Sequence, residues 1–237
     1  MPGLTDQIIP ILLRWSHVLF GIIWIGHLYF FNFVNVNFEK TLDAASKKSV
    51  VPQLRPRALW WFRWGAMITM LTGVVYIFWE QFVTTKVGFS NWFQSGNNLW
   101  ITMGALFGLV MWFNVWFVIW PNQKIILGGI STGNKPADFD ARVATAGKFS
   151  RINTYLSVPM LFGMVGRQHF AIPDVLVRTE VDGTRVTQPD WGPVLITMAV
   201  VIAIGFAVAY HFIYMVGPRV GKEFAPAAPP PPPPPPK

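Results

Sequence analysis

The sequence predicts an all-α membrane protein, a bundle of about five transmembrane helices with a small extramembrane hairpin between the fourth and fifth spans. Three observations predict this fold class. Hydrophobic residues make up 52% of the chain and charged residues only 13%. Uncharged apolar runs recur that are long enough to cross a bilayer, for which about 20 residues suffice. An Asp-Gly pair between two β-branched runs, at Asp182 and Gly183, is a strong hairpin signal.

The apolar runs define the spans, and the polar segments between them are interpreted as loops. Pro10 lies in the first turn of span one, where a missing N–H is tolerated, whereas Pro159 lies inside span four, where we expect a kink. In span three, Gly104 and Gly108 permit close approach of another helix. The segments 37–57 and 122–150 are expected as loops, with a short surface helix over 138–149 and strands over 175–181 and 184–187. The predicted spans are about 8–36, 59–83, 97–120, 152–170 and 191–216.

Charge indicates the orientation. Lys and Arg are concentrated in the segments after spans one and three and near the C-terminus. The positive-inside rule therefore places the N-terminus outside the cell and the C-terminus in the cytoplasm, with the spans in a bacterial inner membrane. The net charge of +8 therefore suits contact with anionic membrane lipid, and we expect no nucleic-acid binding. The N-terminus lacks a basic region and a cleavage site, so span one is expected to be retained.

Residues 219–237 are predicted to form a proline-rich cytoplasmic tail. Its eight consecutive prolines, 229–236, adopt polyproline II. Such a segment suits docking on an aromatic-lined groove of a partner protein.

The four histidines are the strongest candidate ligands in the chain. Cysteine is absent, which excludes disulfides, thiolate metal sites and covalent haem attachment of the Cys-x-x-Cys-His kind. An ionisable side chain within a span is a functional hypothesis by default, and neutral imidazole in a helical bundle suits the iron of b-type haem. We therefore expect haem b as the cofactor. The candidate cofactor-binding residues are His17, His27, His169, His211 and Arg14.

Span one has the most suggestive surroundings. Gly21 and Trp24 follow His17 at spacings of four and seven, on one helix face, and the glycine would leave room for a flat macrocycle. Arg14, three residues before His17, could neutralise a haem propionate. The alternatives are that the histidine only hydrogen-bonds a neighbouring helix and that Arg14 extends to the outer surface.

Depth in the membrane suggests two pairs. His17 and His169 are expected toward the outer side, as iron ligands of one haem, and His27 and His211 nearer the cytoplasmic side. His17 and His27 are ten residues apart, about 15 Å along a helix and rotated by roughly 80°. This spacing fits two separate sites, or one ligand and one structural histidine, and not two ligands of one ion.

A stripe of small residues precedes His211 on one helix face. It could form a cofactor wall, although such stripes more often mark helix–helix contacts. The stripe consists of Ala199, Ala203 and Ala207.

Four phrases in the sequence, residues 14–26, 61–65, 111–124 and 153–160, resemble the membrane domain of the PuuD-type urate hydroxylases, the urate oxidase N-terminal family. The resemblance spans about residues 11–170, and Trp-Pro-Asn-Gln-Lys at 120–124 is its most specific piece. It implies cofactor-dependent oxidation of urate, with electrons passed to cytochrome c. Full-length members of the family carry a c-type cytochrome domain. Because this chain has no cysteine, we do not expect that domain here. The resemblance applies most firmly to Arg14 and His17, and then to His169.

Two functions remain open. The first is an electron-transfer or oxidoreductase-type protein, with haem b between spans one, four and five and electrons leaving to a c-type cytochrome or another membrane complex. The second is a non-catalytic accessory subunit of a respiratory or photosynthetic complex, which the 12 Trp and 20 Phe, the lack of an acidic catalytic centre and the proline tail support. A transporter would also fit the topology, but no inverted repeat indicates one.

Overall fold

The computed structural model of the chain describes residues 4–86, 88–89, 92–94, 96–170, 176–181, 184–189 and 191–221. The expected proline tail lies outside these residues beyond position 221, as do Val175, Asp182 and Gly183. Within them, the chain forms five long helical runs and one two-stranded hairpin.

Four of the runs contain a single π-helical turn. The first run is α1 (Leu4–Tyr29), a π turn (Phe30–Asn35) and α2 (Val36–Thr41); the second is α3 (Ala44–Phe78) and a π turn (Trp79–Thr84). After a 3₁₀ turn (Trp92–Gln94), the third is α4 (Gly96–Phe113), a π turn (Asn114–Ile119) and α5 (Trp120–Thr132). The fourth is α6 (Phe139–His169), and the fifth is α7 (Trp191–Tyr210) with a π turn (His211–Val216).

Four runs are long and apolar enough to cross a membrane, by length and composition: Gln7–Thr41, Ala44–Thr84, Asn98–Thr132 and Trp191–Val216. The predicted all-α membrane bundle is confirmed. The remaining run, the fourth (α6), is more polar and packs against α4, α5 and α7. Its Asn153, Thr154 and Ser157 are fully buried against protein, so they do not contact lipid.

The segment 37–57, expected as a loop, is mostly helical, so that prediction is wrong. Helix α3 begins at Ala44 because Asp43 caps it, accepting hydrogen bonds from the N–H groups of Ala45 at 2.8 Å and Ser46 at 2.9 Å. The helix continues through Pro52 and Pro56. Its run of 41 residues is about 60 Å long, twice the roughly 30 Å hydrocarbon core of a bilayer, so it projects beyond the membrane.

The segment 122–150 is also largely helical. Pro121 does not end the third run but lies in the first turn of α5, which stops at Gly133 in a left-handed conformation with φ 76°. The surface helix expected over 138–149 forms, as the first part of α6, which continues through Pro159 without a break.

Glycines allow the helices to approach closely. A Cβ on Gly163 of α6 would lie 2.7 Å from the Trp100 carbonyl oxygen and 2.9 Å from the Gly104 nitrogen of α4, so the two backbones touch there. The close helix approach predicted at Gly104 is confirmed, whereas a Cβ added to Gly108 would meet no atom within 4 Å. On α7, Gly205 packs directly against Pro159.

The predicted hairpin between the fourth and fifth runs is confirmed. Strands β1 (Leu176–Val181) and β2 (Thr184–Pro189) pair antiparallel, with Val181 opposite Thr184 and Leu176 opposite Pro189. We call the end of the bundle next to this hairpin the hairpin end; it carries the start of α1 and the end of α6. The opposite end, with Thr41, Ala44 and Thr132, is called the extended end.

Candidate functional site

His17 lies in the contact between α1 and α3. Its Nδ1 is 2.8 Å from the backbone carbonyl oxygen of Thr69. Because a carbonyl oxygen only accepts, Nδ1 is the donor, and in the neutral ring Nε2 keeps its lone pair. A histidine held through Nδ1–H by a backbone carbonyl is the usual arrangement of a metal-ligating imidazole. The geometry thus prepares Nε2 to act as a ligand.

Gly73 is the residue that makes room for this ring. A Cβ on Gly73 would lie 2.8 Å from Cε1 and 2.9 Å from Nδ1 of His17, distances that real side chains do not tolerate. Gly21, which was expected to leave room for a macrocycle, instead faces Thr69, whose Cγ2 would be 3.8 Å from an added Cβ. Trp24 is 2% exposed in the core. The face with Gly21 and Trp24 therefore packs on α3.

Arg14 is the first member of a charged network at the hairpin end. Its guanidinium donates to the Tyr76 hydroxyl and lies 5.0 Å from the centroid of the Tyr76 ring. Glu80 lies one turn after Tyr76 in the second run, where the two side chains interact, and accepts a hydrogen bond of 2.8 Å from Arg167 of α6. The Glu80 Oε2 atom is buried and has no partner among the described residues. This network links α1, α3 and α6.

The sequence analysis did not predict this network, although the spacing and charge of some of its residues could have indicated it. Tyr76 and Glu80 are spaced by four at the end of the second run, and Arg167 has the opposite charge at the end of the fourth. The missing information is the register of α1 on α3, which puts Arg14 beside Tyr76.

His169 reaches the same level of the bundle as His17. Tyr29 of α1 and Ser157 of α6 share a hydrogen bond of 3.0 Å, and the two helices run antiparallel. His17 lies twelve residues before Tyr29, and His169 lies twelve residues after Ser157. His169 is exposed, in the last turn of α6, and among the described residues its ring does not contact that of His17.

The other two histidines lie apart from this pair. The Nδ1 of His27 donates to the carbonyl oxygen of Ile23 at 2.7 Å, and its ring lines an open, mostly apolar groove of about 510 Å³ with Arg57 and Trp61. His211 is exposed. Since Phe212 packs on Phe33 with ring centroids 5.8 Å apart, His211 lies closer to the extended end than His27 does.

The small-residue stripe of α7 points away from the bundle. Ala199, Ala203 and Ala207 are all exposed, whereas Gly205 and Ala209 form the packed face. The stripe is therefore outside the packed face of α7. Among the described residues, no group of three or more His, Asp or Glu could hold a metal ion; a haem needs only one or two axial side chains.

Two phrases that carry the family resemblance meet in the core. Asn114 donates to the Asn153 side-chain oxygen at 2.8 Å, and Asn153 donates to the Met111 carbonyl oxygen at 3.0 Å. Asn153 is 0% exposed. The phrases 111–124 and 153–160 therefore form one buried polar contact between the third run and α6.

The urate oxidase N-terminal family model matches residues 77–176. This part of the chain is consistent with the membrane domain of a PuuD-type urate hydroxylase, and the resemblance is confirmed over a shorter range than the expected 11–170. The match includes Glu80, Arg167, His169 and the Asn114–Asn153 contact, and it leaves out Arg14 and His17. No curated protein and no solved structure matches the chain.

Proposed function

We propose that this chain, similar over residues 77–176 to the urate oxidase N-terminal family, is an integral membrane electron-transfer component that binds b-type haem through His17. The observation that supports this most is the hydrogen bond of 2.8 Å from His17 Nδ1 to the Thr69 carbonyl, which leaves Nε2 to face a ligand. A bound haem would supply one-electron chemistry. The chain would supply its position, its charge balance and the exclusion of water.

The charges at the hairpin end suit a haem with its propionates. Two guanidiniums, those of Arg14 and Arg167, are joined to the single carboxylate of Glu80 through the network, so the group carries a net positive charge. Guanidiniums form strong charge-assisted hydrogen bonds with carboxylates. Arg14 is exposed and is the member free to meet a propionate.

His169 would hold the haem together with His17, because it reaches the level of His17. His27 and His211 lie nearer the extended end and are kept as a separate, second candidate position. His169 is exposed beside the hairpin, so electrons would leave there, to a c-type cytochrome or another membrane complex. If urate is the substrate, as in the resembled family, the chain would act as an oxidoreductase.

A ligand substitution series tests the proposal. His17→Gln keeps a donor for the Thr69 carbonyl but provides a poor iron ligand. We expect the ratio of haem to purified protein to fall by about 10-fold or more while thermal unfolding changes little. Gln53→Ala, at an exposed position of the extended end, is the control and should keep its haem. Equal haem in the two variants would contradict a ligand role for His17.

The second candidate, an accessory subunit of a respiratory or photosynthetic membrane complex, is supported by the outward stripe Ala199, Ala203 and Ala207. Small residues at spacing four on an exposed helix face let another transmembrane helix approach closely. Ala203→Phe should weaken co-purification with neighbouring membrane subunits, whereas Val165→Phe, on the exposed side of α6, should not. Unchanged co-purification of Ala203→Phe would count against this role. The proline tail, as a docking segment, is part of the same proposal.

We further propose the bacterial inner membrane as the location, with the N-terminus outside. The basic residues of the extended end (Lys47, Lys48, Arg55 and Arg57) support a cytoplasmic position for that end. Reporter fusions after residue 134 and within the hairpin should report the cytoplasm and the outside respectively. The reverse result would contradict this orientation.

A further inference from the structure

Two cationic side chains contact the same tryptophan ring in the half of the bundle nearer the extended end. The Arg63 guanidinium of α3 lies 3.9 Å from the ring centroid of Trp120, 5.4 Å from that of Trp116 and 5.9 Å from that of Trp64. The Lys124 ammonium lies 5.8 Å from the same Trp120 ring. Arg63, Trp116, Trp120 and Lys124 are called the cation–indole cluster.

The cluster has no negative partner, unlike other arginines of the same end. Arg55 pairs with Glu39, and Arg142 pairs with Asp138 at 2.6 Å. Among the described residues, no carboxylate lies within ion-pairing distance of Arg63 or Lys124. The cluster therefore carries two uncompensated positive charges.

Two N–H donors of the cluster are also unpaired. Arg63 Nε and Trp116 Nε1 are buried atoms without a hydrogen-bond partner among the described residues. A buried donor without an acceptor is destabilising, and a cation–π contact offsets only part of that cost. An anion with several acceptor oxygens would compensate the positive charge of the cluster.

The position identifies the anion as a lipid headgroup. Trp60, Trp61 and Trp64 are exposed beside the cluster, where α3 changes from its charged to its apolar part, as in the aromatic belts of membrane interfaces. From Trp120 toward the bundle centre, the exposed rings of Phe117 and Phe113 stack with centroids 4.9 Å apart. They offer an apolar track on which an acyl chain can lie.

We propose that the cation–indole cluster binds the phosphate of an anionic phospholipid, with one acyl chain along Phe117 and Phe113. The phosphate oxygens accept from the Arg63 guanidinium and from the exposed Lys124 ammonium. This inference concerns a different part of the molecule from the His17 site and does not depend on haem binding.

Lipid preference in nanodiscs tests it. The full chain is placed in discs of mixed phosphatidylglycerol and phosphatidylcholine, and the lipids that remain bound are counted by native mass spectrometry. We expect the wild type to retain phosphatidylglycerol, and Arg63→Gln and Lys124→Gln each to lower that preference by about fivefold. Lys124 is exposed, so its variant should fold even if Arg63→Gln does not.

Matched control variants distinguish a specific lipid site from a general attraction of basic residues to anionic lipid. Arg151→Gln and Lys148→Gln remove one charge each from exposed positions of the same end and should leave the preference unchanged. An equal loss in all four variants, or none in Lys124→Gln, would overturn the proposal. Inorganic phosphate added to phosphatidylcholine discs should not raise the unfolding temperature; a rise that Lys124→Gln abolishes would assign the cluster to a free anion and overturn the lipid assignment.

Discussion

The Nδ1 of His17 donates to the Thr69 carbonyl oxygen, and the ring rests on Gly73, one turn further along α3. This arrangement fixes both the orientation of the imidazole and the position of its proton. Every element of it comes from the packing of α1 on α3. The histidine is therefore positioned before any cofactor binds.

The contact with Gly73 predicts the effect of adding a single methyl group there. Gly73→Ala would place a Cβ 2.8 Å from His17 Cε1, and such overpacking costs about 1–3 kcal/mol. We expect a lower unfolding free energy and a displaced imidazole with reduced haem occupancy. Gly108→Ala, which meets nothing within 4 Å, is the control and should change neither. A Gly73→Ala protein with wild-type stability and haem content would refute this packing.

The Glu80–Arg167 pair predicts coupling across the hairpin end. Both side chains are 22% exposed, so the pair is only partly screened by solvent. In a double-mutant cycle with Glu80→Gln and Arg167→Met, we expect a coupling free energy of about 1–2 kcal/mol. The more exposed Asp138–Arg142 pair should couple less. Additive effects of the two substitutions would show that the network does not stabilise the bundle.

The buried Asn114–Asn153 contact predicts a large stability effect far from the histidines. Asn153→Ala leaves the Asn114 amide without its acceptor and removes the bond to the Met111 carbonyl oxygen, at a cost of about 1–3 kcal/mol. Chemical denaturation in detergent should show this loss. Thr132→Ala, which removes an exposed hydroxyl, should stay near the wild type, and equal stability of both variants would argue against the contact.

The cap of α3 predicts a dependence on pH. Hydrogen bonds, chiefly from the N–H of Ser46, hold the pKa of Asp43 below its ordinary value of 3.8. The carboxylate therefore stabilises the helix fully above that value, and the stabilisation is lost as the pH falls through the lowered pKa. The difference in unfolding temperature between wild type and Asp43→Ala should be constant near neutrality and shrink below pH 3.8. A difference that grows on acidification would contradict this sign.

Four of the spans and the hairpin could be predicted because their signals are local. Apolar runs define a membrane helix by their length, and Asp-Gly between β-branched runs defines a turn. The helical extensions were missed because Pro52, Pro56 and several lysines resemble a loop, while the cap at Asp43 that starts α3 is a single residue.

The candidate site was only partly predictable for a different reason. Arg14 and His17 are visible as charges in an apolar run, but their partners Tyr76, Thr69 and Gly73 are set by the register between two helices. No local pattern encodes that register. The surroundings of Arg63 could not be predicted for the same reason, because they combine residues of the second and third runs.

The central proposal is haem bound at His17, and one spectrum tests it most directly. A reduced-minus-oxidised difference spectrum of the protein, purified in mild detergent from membranes with sufficient haem, should show the α-band of a b-type haem. The band should be lost in His17→Gln and kept in Gln53→Ala. A wild-type spectrum without an α-band, from protein that unfolds cooperatively, would contradict the proposal.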